Sequence, residues 1–152
     1  MNDIVWRAIK WAQIPATKEP VSLIQQDGKR SDDTTLLPWA QGKAMAWDIT
    51  VPDTCAELYI DHTSKEACSA ANKAAANKIV KFGALSASHI FFSMVETAGT
   101  FNQSTIELIQ EIGRCITAVT EDTRETVFLF QRLSVALQRQ NAVAFLATFD
   151  AV

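Results

Sequence analysis

The sequence predicts one mixed α/β domain: a helix, a three-strand meander, a helix, a fourth strand and two C-terminal helices. Three observations carry that reading. Short β-rich runs separated by turn residues crowd into the first third of the chain. An alanine-rich helical stretch then precedes a continuous apolar run. Two long segments with apolar residues at helical spacing follow it.

Residues 3 to 13 form an amphipathic helix, with Ile4, Val5, Ala8, Ile9 and Ala12 on one side and Pro15 ending it. "EPVSLI" (19 to 24) is a strand beginning at a proline, and "QQDGKRSDD" is a polar turn. "TTLLPW" (34 to 39) and "KAMAWDITV" (43 to 51) make a hairpin across Ala40-Gln41-Gly42, with Gly42 supplying an unusual φ. Pro38 inside the first run demands an edge position or a bulge.

"VPDT" breaks the pattern, and Thr63-Ser64-Lys65-Glu66 has capping-box form opening a helix to about Phe82. "SHIFFSMVET" (88 to 97) is apolar and β-branched enough for a buried central strand, which Gly99 ends. Residues 102 to 119 place Ile106, Ile109, Ile112 and Ile116 at helical spacing. A last helix over 122 to 148 does the same with Val127, Phe130, Leu133 and Leu137. No repeat, low-complexity tract or linker interrupts residues 1 to 152, so a single domain is expected.

Hydrophobic residues make up 48% and charged residues 20% of the 152, the balance of a soluble globular domain. A net charge of −3 gives no global basic face, so any nucleic-acid role must rest on a local patch. Cys55, Cys68 and Cys115 have neither zinc-ligand spacing nor the density of a disulfide framework, which points to a reducing compartment. The N-terminal stretch lacks the apolar run of a signal peptide, and no segment is long enough to span a membrane. An intracellular protein of nucleus or cytoplasm is expected.

Asp48 is the anomaly. It lies inside an apolar strand, where an unpaired charge costs several kcal/mol, on the order of burying a lone ion. Alternation puts Ala44, Ala46, Asp48 and Thr50 on one face and Met45, Trp47, Ile49 and Val51 on the bulky, core-facing other. The hairpin returns Asp32 and Asp33 beside Ile49 and Thr50, so at least one aspartate approaches Asp48 from the neighbouring strand. Two close carboxylates repel unless a cation lies between them, and carboxylate and carbonyl oxygens are the hard ligands Mg²⁺ accepts. Lys78 is a second anomaly of opposite sign, on the stripe Ala67, Ala71, Ala74, Lys78 and Phe82, with Lys81 about 60° further round. Taken singly these residues have ordinary readings. A strand aspartate accepts backbone amides, a lysine snorkels, Asp32 and Asp33 belong to a turn, and Glu19 and Glu96 are strand-end charges.

The ordered set "E19-P20 … R30-S31-D32 … G42-K-A-M-A-W-D48-I-T … N77-K78-I-V-K81-F82" resembles the PD-(D/E)XK nuclease superfamily. It is most similar to the restriction-like endonuclease domain at the C-terminal end of non-LTR retrotransposon proteins. The resemblance covers about residues 3 to 100, and "FLFQRLSVALQRQN" is similar to the tail of related retroelement-derived reading frames. It implies a restriction-endonuclease-like core and a nickase that hydrolyses DNA phosphodiesters with Mg²⁺ or Mn²⁺. Asp32 and Asp48 are then the metal ligands, with the main-chain carbonyl of Ile49 as a third. Lys78 orients water or offsets phosphate charge, with Lys81 as the alternative, and Glu19 matches an acidic position before the first catalytic strand. Arg30, Lys43 and Lys81 are the implied DNA contacts.

The chain departs from the family pattern at Ser31, which replaces a proline, and at Thr50, where many members carry the lysine. Phe82 lacks the hydroxyl of the usual tyrosine. Zinc-knuckle and polymerase motifs are missing, so the expectation is a detached domain or remnant without its upstream reverse-transcriptase polypeptide. Two functional classes follow. One is the metal-dependent nuclease. The other, favoured by the acidic pI of about 5.3 and by Ser31, is an inactive module of the same fold that contacts nucleic acid or protein. An unrelated hydrolase or nucleotide enzyme finds no support. His62 and His89 lack a G-x-S-x-G partner, and neither G-x-G-x-x-G nor a P-loop occurs.

Overall fold

A computed structural model describes residues 1–18, 33–47, 49–53, 57, 60–61, 64–66, 68–81, 83, 88–92 and 99–150. The side chains of residues 78, 81, 91, 92 and 148–150 fall outside that description. Among the described residues the helices are α1 (Asn2–Trp11), α2 (Ser69–Lys81), α3 (Gln103–Thr120) and α4 (Glu125–Asp150). The strands are β1 (Ala16–Lys18), β2 (Asp33–Ala40), β3 (Lys43–Trp47) and β4 (His89–Phe92), in the sheet order β1-β2-β3-β4. The first three pair antiparallel as a meander and β4 joins β3 in parallel. Parallel neighbours need a long connection, and α2 lies within it. The protein is therefore a mixed α/β fold with the element order read from the sequence.

α1 buries Val5, Ala8 and Ile9 as its apolar spacing requires, and Ala12 closes the same side. The helix stops at Trp11, and Gln13, with φ 58°, turns the chain before Pro15 is reached. The first strand then starts at Ala16. The expected strand at 19 to 24 lies outside the described residues.

β2 and β3 are joined through Gln41 and Gly42, with φ of 52° and 71°. Positive φ at both central positions makes the turn that matches strand twist in a two-residue hairpin. Pro38 does sit at a bulge. The ladder slips between Thr34 and Pro38 and again before Ala40, so Thr34–Ala40 of β2 faces only Lys43–Ala46 of β3. Side-chain hydroxyls replace the lost ladder bonds. The Thr34 hydroxyl donates to the Met45 carbonyl and the Met45 N–H donates to Thr35 Oγ1, both at 2.9 Å.

The main core packs α1, α3 and α4 with β1 and β3. It joins Ile9, Met45, Trp47, Leu108, Ile109, Ile112, Ile116, Leu129 and Leu133. Ala46 is buried as well, so both faces of β3 are covered. Asn102 caps α3, its side chain accepting the Thr105 N–H at 3.0 Å, and Glu121 ends that helix with φ 62°. Gly113 lets α4 approach, for a Cβ there would lie 2.7 Å from Thr126 Cα.

Three expectations are corrected. α2 begins at Ser69 rather than at the Thr63-Ser64-Lys65-Glu66 box, whose capping residue Thr63 lies outside the described residues. The Ser64 N–H and hydroxyl bond back to the carbonyls of Ile60 and Asp61, and Cys68, with φ 68°, directly precedes the helix. β4 is the last strand of the described sheet rather than a central one. α4 buries Leu129, Leu133 and Leu137, while Val127 is exposed and Phe130 is half-buried with its edge against Phe101. No described helix is long and apolar enough to cross a membrane.

Candidate functional site

Three strand ends meet the start of α1. Lys18, the last residue of β1, lies opposite Asp33, the first of β2, and Asp33 lies opposite Trp47, the last of β3. Asp33 is only 1% exposed. Its Oδ2 accepts a 2.8 Å hydrogen bond from the Asn2 amide, and Asn2 Oδ1 accepts the indole N–H of Trp47 at 3.0 Å. Asn2 begins α1, whose positive end favours a nearby carboxylate. One side-chain amide thus serves one oxygen of a buried acid and the N–H of a buried indole together.

A polar fringe surrounds this chain of bonds. Lys18 Nζ lies 2.9 Å from Asp3 Oδ1. That contact holds the Asp3 carboxyl below its usual range and raises the Lys18 ammonium, to which Asp33 adds attraction. The Trp6 ring tilts against Trp47 at 6.4 Å, and the ammonium groups of Lys10 and Lys18 stand 4.9 and 5.3 Å from its centroid. The assembly fixes α1 against the strand ends. Asp33 itself is engaged there, and its burial removes it from any substrate.

The register differs from the sequence expectation. The bulges of β2 draw Asp33 back to Trp47 instead of leaving it beside Ile49. Glu19, Arg30, Asp32 and Asp48 lie outside the described residues. Ile49 is described and packs, half-buried, against the main core. Lys43 begins β3 at the hairpin end, four residues from Trp47 and so roughly 13 Å away along the strand. Positions 78 and 81 both belong to α2 and share a helix face with buried Ala71 and Ala74.

Among the described residues no three His, Cys, Asp or Glu side chains gather as a metal site. His89 opens β4 with Nδ1 2.8 Å from the Ser88 hydroxyl, and burial pushes its imidazole pKa down. His62 lies outside the description. Cys115 is a free thiol, and burial raises its pKa.

No family model matches this chain. Neither does any curated protein or solved structure.

Sequence reasoning found the acidic segment at 32 and 33 but missed Asn2 and Lys18. The signal for Asn2 was available: an amide at the start of an amphipathic helix is a natural partner for a buried carboxylate. Trp47 in an apolar strand also requires an acceptor for its indole N–H. Nothing local linked the two, because Asn2 and Trp47 stand 45 residues apart.

Proposed function

We propose that this protein is a metal-dependent DNA endonuclease of the PD-(D/E)XK type, with Asp32 and Asp48 as ligands for Mg²⁺ or Mn²⁺. One observation carries the reading: Asp33 and Trp47 are direct partners across β2 and β3. Asp32 and Asp48 are each covalently one residue from a member of that pair, about 3.8 Å between neighbouring Cα atoms. Two carboxylates so tethered can share one ion. The donor chemistry fits too, since carboxylate oxygens and the Ile49 carbonyl are hard ligands suited to Mg²⁺.

The chain's own residues divide the remaining work. The Asn2–Asp33–Trp47 bonds hold the strand ends against α1, so the neighbouring acidic positions are displayed from a rigid base. Lys78, or Lys81 one turn further along α2, offsets charge developing on the phosphate. Glu19 is a third acidic residue of the set, matching the acidic position that precedes the first catalytic strand in the family pattern. Arg30, Lys43 and Lys81 supply phosphate contacts, which makes DNA affinity fall steeply with salt. A divalent ion bound at the aspartates supplies the Lewis acid for phosphodiester hydrolysis.

Incubation with supercoiled plasmid tests the reading. Nicked circles should accumulate only with Mg²⁺ or Mn²⁺, and Asp48→Ala should abolish them. Nicking that persists in Asp48→Ala assigns the activity elsewhere, and its absence from the unaltered chain favours the inactive module.

A further inference from the structure

We infer that the solvent-facing side of α1, with Lys18 of β1 beside it, is a DNA-docking surface on which Arg7, Lys10 and Lys18 hold the phosphate backbone around Trp6. The inference rests on the DNA partner proposed above and not on the metal.

Helical spacing makes the surface. Asp3, Trp6, Arg7 and Lys10 stand at i, i+3, i+4 and i+7, so they share one side of α1. Val5, Ala8 and Ile9 occupy the buried side. β1 brings Lys18 to the same stripe, where its Nζ lies 2.9 Å from Asp3 Oδ1 and 5.3 Å from the centre of the Trp6 ring. Lys10 Nζ stands 4.9 Å from that centre. The two ammonium groups are thus no more than about 10 Å apart, one Debye length at about 0.1 M salt, and act together on an anion. Arg7 repels the Lys18 ammonium, which makes it a third member of the group.

Charge is unevenly shared along the chain. Residues 1 to 18 carry three cations, Arg7, Lys10 and Lys18, against one acid, Asp3, while the rest holds the excess of acids that brings the total to −3. An acidic protein therefore keeps one locally positive face, which is what phosphate contact requires. Neither Arg7 nor Lys10 forms an ion pair with a described residue. The Lys18–Asp3 pair is exposed, and exposed pairs are worth little, so Lys18 can leave Asp3 for a phosphate.

The surface adjoins the proposed site. Lys18 lies opposite Asp33, and the Trp6 ring rests against Trp47. A backbone crossing Lys10, Trp6 and Lys18 is led toward the strand ends, whereas Lys43 stands at the hairpin end of β3. An acidic membrane is the poorer partner, because a membrane-surface helix must offer an apolar face and that of α1 is buried in the core.

Fluorescence anisotropy of a labelled DNA duplex, with the whole chain and EDTA so that no strand is cut, tests the inference. Binding should weaken with salt, and Arg7→Gln combined with Lys10→Gln should lower affinity about 10-fold and the salt slope by about 2. Asp3→Asn should raise affinity about 3-fold, because it releases Lys18 to phosphate. All three positions are exposed, so circular dichroism should be unchanged. No binding by the unaltered chain, an affinity and slope unmoved by the paired glutamines, or no gain from Asp3→Asn overturns the inference. Binding of phosphatidylserine vesicles in place of DNA overturns it as well. Plasmid nicking separates this surface from the nuclease reading. A chain that binds in this way and never nicks keeps the surface and loses that reading, and nicking with an unmoved slope does the reverse.

Discussion

Asp33 and Asn2, 31 positions apart, share a 2.8 Å hydrogen bond that ties the head of β2 to the first turn of α1. Because the same amide accepts the Trp47 indole, three elements depend on one small side chain. Asn2→Ala should cost about 2–3 kcal/mol in urea unfolding, since a buried acid and a buried donor each lose a partner. Asn2→Asp should be worse at neutral pH, where two carboxylates would face each other, and should recover as the pH falls toward their protonation. Equal stability of the three proteins at pH 7 would refute the role given to Asn2.

The approach of α3 to α4 predicts a steric cost. Gly113→Ala would drive a methyl into Thr126, whose Cα would be 2.7 Å away. Alanine is worth about 1 kcal/mol over glycine in a helix interior, yet overpacking against backbone costs about 1–3 kcal/mol. The melting temperature should fall rather than rise. Calorimetry decides the sign.

The hairpin turn offers a pair of opposite effects. Gln41 occupies a left-handed position with φ 52°, where asparagine is better tolerated, so Gln41→Asn should add about 0.5 kcal/mol. Gly42, at φ 71°, should lose about 1–2 kcal/mol on replacement by valine. Chemical denaturation of both variants checks the turn assignment.

The acid limb of stability follows from three depressed carboxyls. Arg124 holds Asp122 down to about 2 from an ordinary 3.8, chiefly by side-chain hydrogen bonding. Lys18 lowers Asp3 and Arg114 lowers Glu111 in the same manner. A folded-state pKa below the unfolded one stabilises above the unfolded value, and that contribution disappears as pH falls through the folded value. Stability should therefore decline between about pH 4 and 2. In an NMR titration, Arg124→Ala should return the Asp122 midpoint toward 3.8. An unmoved midpoint contradicts the pairing.

What the sequence made legible was local. The stripe of α1, the hairpin at Gly42, the bulge at Pro38 and the Asn102 start of α3 each follow from a few adjacent residues. The register at the foot of the hairpin was not legible, because two slips in β2 shift the pairing and no residue type announces their size. α4 was misread for another reason. It carries apolar residues at 127, 128, 129 and 130, so two stripes fit the period, and only packing against α3 selects Leu129, Leu133 and Leu137. At the strand ends the sequence singled out Asp33 as a returning aspartate, whereas its register and the Asn2 and Lys18 contacts arise only from tertiary proximity.

Binding of Mn²⁺, followed by electron paramagnetic resonance of the free ion, tests the metal reading without requiring a DNA substrate. The unaltered chain should take up the ion, and Asp32→Ala and Asp48→Ala should each remove that binding while leaving the circular dichroism spectrum intact. Uptake that persists when both aspartates are replaced, or no uptake by the unaltered chain at millimolar Mn²⁺, would contradict a shared ion beside the Asp33–Trp47 pair.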